Sequence, residues 1–134
     1  MTLYVDPSAL VKRYVEESDS ALAVELINSD QVLVTSWITL VEVRRNLGRM
    51  LTGNELSAAR RQVSIDLDHF ALVVVDEAVC EAAAEIGEVL GVRSMDAIHL
   101  ACAKRLRIPS LPFLTFDLRQ AQAARSLGMT VLGA

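Results

Sequence analysis

Short apolar runs alternate with longer amphipathic stretches along this whole chain, and that alternation narrows the fold to repeated strand–helix units feeding a parallel sheet. The candidate strands are residues 3–5, 32–35, 72–75, 111–115 and 130–132. Helical stretches lie between them. Pro7 sits in a first turn, Ser18 and Asn54 are N-cap candidates, and Ser94 opens the segment that carries Asp96. After the second strand, Leu40, Val43, Leu47 and Met50 form one helical stripe, which leaves Glu42 on another face with Arg45 and Arg49. Residues 120–127 read as a last helix closed by Gly128. Pro112 points to an edge strand or an irregular strand start. No repeat, low-complexity tract or linker divides the chain, so a single domain over residues 1–134 is expected.

Composition agrees. Hydrophobic residues make up 52% of the chain and aromatics only 4%, so the core must be built from Ala, Leu, Val and Ile, as in helix-covered sheets. No apolar stretch approaches the roughly 20 residues of a spanning helix. The start runs directly into Leu3-Tyr4-Val5 without a basic segment or apolar h-region, so a cytoplasmic protein with no membrane association is expected. Cys80 and Cys102 lack CxxC spacing and read as small, reduced core residues. The formal charge of −4 argues against nucleic-acid binding by bulk electrostatics alone, but an acidic cluster that holds divalent cations would lose its repulsion toward phosphate.

The acids carry the chemistry. Ligands of an open parallel sheet bind outside the carboxyl ends of its strands. Asp6 directly follows the first strand and Asp117 follows the strand that ends at Thr115, while Glu42 and Asp96 lie in the early turns of helices. Four carboxylates can therefore converge from four segments. Crowded carboxylates repel one another and are driven toward protonation unless cations neutralise them. Mg²⁺ or Mn²⁺ suits such oxygen donors, and ions of that kind activate water and stabilise the leaving oxygen of an in-line displacement. That is phosphodiester hydrolysis.

Four segments carry a family resemblance: Tyr4-Val5-Asp6-Pro7-Ser8-Ala9-Leu10-Val11-Lys12, Thr39-Leu40-Val41-Glu42, Arg93-Ser94-Met95-Asp96-Ala97-Ile98-His99-Leu100-Ala101 and Thr115-Phe116-Asp117. In order and spacing they resemble the PIN-domain nucleases, and within them the VapC-like toxins of toxin–antitoxin pairs. The resemblance spans essentially the whole chain. It implies an α/β/α sandwich with a five-stranded parallel sheet, Mg²⁺- or Mn²⁺-dependent endoribonuclease activity on RNA, a homodimer, and a VapB-like antitoxin whose C-terminal segment crosses the active-site groove. It also implies that Asp6, Glu42, Asp96 and Asp117 are the catalytic, metal-holding acids. Ser8 and Thr115 would be hydroxyl neighbours able to hydrogen-bond a metal-bound water or a carboxylate.

Plainer readings exist for each residue. Asp6 and Asp117 could simply cap helices, Asp96 could answer a helix dipole, and Glu42 could pair with Arg45. His99, three residues after Asp96, reads as a partly buried histidine at the site rim in preference to a proton shuttle or ligand. Asp66 and Asp68 read as a solvated helix end. Among the basic residues Lys12, Arg13, Arg44, Arg45, Arg49, Arg93 and Arg119, the two that share the face of Glu42, Arg45 and Arg49, are the favoured RNA contacts. Two rival functions stand beside the nuclease. One is a catalytically silent PIN-like module that only binds a protein partner. The other is a receiver-type acidic Mg²⁺ site, a class that uses paired acids after its first strand and a lysine after its last, neither of which appears here.

Overall fold

Five strands, all parallel, pair in the order β3-β2-β1-β4-β5. The computed structural model that shows this describes residues 1–29 and 32–134. The elements run β1 (Thr2–Val5), α1 (Pro7–Leu10), a 3-10 turn (Val11–Arg13), α2 (Ser20–Asn28), β2 (Val32–Ser36), α3 (Trp37–Met50) and α4 (Gly53–Leu67). They continue with β3 (Ala71–Val73), α5 (Glu77–Leu90), α6 (Ser94–Arg105), β4 (Pro112–Thr115), α7 (Leu118–Ser126) and β5 (Thr130–Gly133).

Strand side chains alternate between two cores, one on each face of the sheet. Tyr4 and Phe113 point to the side covered by α5, α6 and α7, where Ala83, Ala97, Ala101, Ala103, Ala123 and Ala124 let the helices approach closely. Leu3, Val5 and Leu114 point to the side covered by α1 to α4. The chain is therefore the expected α/β/α sandwich, with alanine-rich packing on the α5–α7 side and mostly Leu, Val and Ile on the other. Among the described residues no helix is long and apolar enough to cross a membrane.

Some local expectations change. Pro112 does not mark an edge: β4 lies between β1 and β5. Proline is tolerated because it is the first residue of the strand and pairs there only with Thr130, whereas the β1 ladder begins at Phe113. Helices α2, α4 and α6 have Asp19, Thr52 and Arg93 at their N-caps, one or two residues from the serine and asparagine candidates, and none of the three caps with its side chain. Met50 falls off the buried stripe of α3, which comprises Thr39, Val43 and Leu47. Cys80 is exposed and only Cys102 is buried. Asp66 is no idle helix end: it accepts from Tyr14 Oη at 2.7 Å and Arg13 Nε at 2.9 Å, tying α4 to the 3-10 turn. The closing glycine behaves as expected. Gly128, at φ +85°, donates its N–H to Arg125 at 3.0 Å and lets the chain turn into β5.

Candidate active site

Strand order reverses between β1 and β4, which is where an open parallel sheet leaves a crevice at its carboxyl edge. Asp6 leaves β1 at that point, and its Oδ2 accepts from Ser8 N at 3.0 Å, capping α1. Asp117 leaves β4 beside it, and its Oδ1 accepts from Gln120 N at 3.0 Å, capping α7. Capping and site chemistry thus coexist. Each carboxylate gives one oxygen to a helix N-terminus, which fixes its rotamer and leaves the other oxygen available.

Asp96 sits in the first turn of α6 and faces the same crevice. Its carboxyl is held above the usual range, first by burial and then by the negative charges of Asp6 and Asp117, with Arg93 and His99 acting in the opposite direction. Three acids from three separate segments therefore share one electrostatic neighbourhood. The nearby cation is Arg93, whose Nε stands 3.7 Å from Asp96 Oδ2 and whose Nη2 stands 3.7 Å from Asp117 Oδ2. Its side chain is 75% exposed, so it is a loose counter-ion.

Glu42 reaches the site from α3 and is not paired with Arg45. Its Oε1 lies 2.6 Å from Nε2 of His99, and Nδ1 of His99 lies 2.8 Å from the Tyr4 hydroxyl. His99 is 1% exposed and Tyr4 is fully buried, so this chain of hydrogen bonds runs from the site into the sheet. Burial opposes charging of the imidazole. The Glu42 hydrogen bond and the charges of Asp6, Glu42 and Asp96 outweigh it and raise the His99 pKa. Burial lifts the Tyr4 hydroxyl well above its ordinary value, so it remains a donor. The sequence placed His99 at the rim; the structure places it beneath the site.

Ser8 and Thr115 form a brace. Their hydroxyls are 3.2 Å apart, Ser8 Oγ accepts from Phe116 N at 3.1 Å, and Thr115 Oγ1 accepts from Asp117 N at 3.1 Å while donating to Gln120 Oε1 at 2.8 Å. Together they fix the turn that presents Asp117.

The basic residues separate into two groups. Lys12 is held by Glu17 and Asp19 beneath the ring of Phe116, and Arg13 by Asp66 and Asn28. Arg49 bonds Asn46, and Arg45 is exposed on α3. Arg93 and Arg119, by contrast, line a cavity of about 400 Å³ that opens beside Asp96 between the α5–α6 turn and α7. Sequence spacing gave them no priority because they converge only when α7 packs beside that turn.

Among the described residues no three His, Cys, Asp or Glu side chains stand close enough to enclose one ion. The donor set nonetheless fits Mg²⁺ or Mn²⁺. It is all oxygen, burial and the charges of Asp6 and Asp117 disfavour the ionised Asp96 carboxyl that a cation would stabilise, and such ions usually take one or two protein carboxylates, with water and substrate phosphate completing the shell.

The PIN domain family model matches residues 3–126. The chain is similar to Ribonuclease VapC46 of Mycobacterium tuberculosis, 34% identical over 130 residues that cover 97% of this chain and 95% of the relative. It is also similar to Ribonuclease VapC35 of the same organism, 33% identical over 134 residues, with the same shares covered. The fold is shared with Mycobacterium tuberculosis VapC20, described as a Sarcin-Ricin loop cleaving toxin, at a TM-score of 0.77 and 20% identity over 98% of each chain. It is shared as well with FitAcB from Neisseria gonorrhoeae, at a TM-score of 0.72 and 21% identity over 97% of this chain and 96% of that one. Motif order, sheet topology, the acidic crevice and identity over almost the full length agree: the chain belongs to the PIN-domain family, among its VapC ribonucleases.

Proposed function

We propose that this chain is a Mg²⁺- or Mn²⁺-dependent endoribonuclease that acts as the toxin of a toxin–antitoxin pair. The observation that carries the reading is the meeting of Asp6, Asp96 and Asp117 at the switch point of the sheet, where burial first and then the charges of Asp6 and Asp117 hold the Asp96 carboxyl above its usual range. Asp6, Glu42, Asp96 and Asp117 would be the acids of the metal site, one or two of them holding the cation directly and the others through its waters. Once bound, such an ion supplies an activated water and offsets charge on the scissile phosphate.

The remaining steps belong to the chain. Ser8, Gln120 and His99 hold the carboxylates in place, so little reorganisation is needed when substrate arrives. Arg93 can leave its 3.7 Å contacts to meet the RNA backbone, and Arg119 offers a second phosphate contact along the cavity. The scarcity of aromatics makes backbone and shape the basis of recognition. Arg45 and Arg49 remain proposed contacts farther out on α3.

The cytoplasm, a homodimer and a VapB-like antitoxin complete the proposal. Support for a partner comes from proteins of the same fold, one described as a toxin–antitoxin complex from Klebsiella pneumoniae and one as a member of the VapBC family of toxin–antitoxin systems. The test is degradation of single-stranded RNA by purified protein with Mg²⁺ or Mn²⁺, abolished by EDTA and by Asp96→Asn. Cleavage that persists without metal would overturn the mechanism. Expression should arrest growth unless the cognate antitoxin is supplied, and harmless expression of an active protein would count against the toxin role.

A further inference from the structure

Two of the four acids are oriented by backbone hydrogen bonds. Asp6 and Asp117 accept helix N-terminal N–H groups, and Asp96 lies in a first turn. Glu42 has no such support. It lies in the interior of α3, where the backbone N–H groups are used by the helix, and it has more rotatable bonds than an aspartate. What holds it is a side chain from the opposite layer of the sandwich.

The chemistry of that contact is determined by the donor inventory. A carboxylate only accepts, so Nε2 of His99 must carry the proton that Glu42 Oε1 receives at 2.6 Å, in the neutral and the charged ring alike. In the neutral ring Nδ1 is then an acceptor, and the Tyr4 hydroxyl at 2.8 Å is the donor it faces. The ring itself has almost no freedom, being 1% exposed and edge-on to Tyr4, which in turn stacks on Phe113 at 5.2 Å. With Oε1 engaged, Oε2 is the oxygen left for the site.

We propose that His99 is a positioning residue that fixes the Glu42 carboxylate for a divalent cation, and that Tyr4 acts through it by fixing the imidazole. This role rests on the metal-dependent reading of the site.

The experiment compares wild type with His99→Leu, His99→Gln and Tyr4→Phe. Mn²⁺ affinity is measured by calorimetry, thermal unfolding is followed in EDTA, and the His99 ring nitrogens of the metal-free protein are observed by NMR. The neutral wild-type ring should carry its proton on Nε2. His99→Leu should weaken Mn²⁺ binding on the order of 10- to 100-fold, the usual cost of losing a partner that orients a ligand. His99→Gln can still donate to Glu42 and accept from Tyr4, so it should recover most of that loss. Tyr4→Phe keeps the ring stack and should weaken binding by roughly threefold to tenfold with little change in unfolding temperature. If His99→Leu fails to fold, the other two variants decide. Wild-type Mn²⁺ affinity in folded His99→Leu or in Tyr4→Phe would overturn the proposal, as would equal losses in the Leu and Gln variants or a neutral ring protonated on Nδ1. A wild type that binds no Mn²⁺ would remove the metal reading and this role together; wild-type binding with unaffected variants would remove this role alone.

Discussion

Arg93 Nη2 lies 3.7 Å from Asp117 Oδ2, so a residue from the turn before α6 leans across the crevice onto the cap of α7. The same guanidinium approaches Asp96, which makes it an internal competitor for whatever cation the acids attract. Arg93→Gln should therefore tighten Mn²⁺ binding by about two- to fivefold, the range set by exposed ion pairs, while weakening RNA binding. Calorimetry of the metal and fluorescence anisotropy of an RNA oligonucleotide check the two halves. Unchanged metal affinity at low salt would refute the competition.

Asp96 gives a pH-dependent prediction. Its folded-state pKa is raised, so the stability it contributes is fully present below its unfolded pKa and is lost as pH rises through the folded value. At neutral pH the ionised carboxyl works against the fold. In EDTA at pH 7, Asp96→Asn should unfold about 2–4 °C above wild type, and the advantage should vanish at a pH where Asp96 is protonated in both states. With Mn²⁺ at 100 times its dissociation constant, wild type should gain about 2.7 kcal/mol and the variant far less. A variant less stable than wild type in EDTA would show that the repulsion is not felt.

Arg119 lies along the cavity beside Asp96 but outside the acids themselves. Arg119→Glu should raise KM for RNA about threefold to tenfold at low salt and leave kcat within about twofold, and the effect should shrink as salt screens the contact. A fall in kcat with KM unchanged would place Arg119 elsewhere in the reaction.

Gly133 pairs with Thr115 at the last rung of the β4–β5 ladder, with φ +95°. A Cβ there would stand 2.6 Å from the Thr115 carbonyl oxygen. Gly133→Ala combines a left-handed backbone with a backbone clash and should cost about 2 kcal/mol, or roughly 5–10 °C in Tm. Because Thr115 braces the Asp117 turn, activity at permissive temperature should fall as well. Wild-type stability would show that β5 yields freely at its end.

Much of this molecule can be read from local patterns. Strands buried on both faces write themselves as apolar runs, and an acid placed one or two residues beyond such a run is carried to the carboxyl edge, which is why Asp6 and Asp117 were visible. The β3 run was overextended because Val74 and Val75 continue the apolar text after the ladder ends at Val73. Pro112 misled because a missing N–H matters only where a neighbour needs it. His99 was misjudged for another reason. Its spacing from Asp96 was plain, but its burial and its bond to Glu42 depend on α3 and α6 meeting above Tyr4, and no periodicity within one segment encodes that meeting. Arg45 and Arg49 are legible as a pair because they share a helical face, whereas the cavity that Arg93 and Arg119 share is formed by distant segments and is not legible.

The position of β4 also governs when the crevice can exist during synthesis. Strand β1 emerges early, yet the neighbour that completes its far side, and the turn bearing Asp117, come more than a hundred residues later. A nascent chain still lacking those residues has no fourth acid and no switch point. On the proposed function, the cutting site is therefore incomplete until nearly all of the domain has left the ribosome exit tunnel.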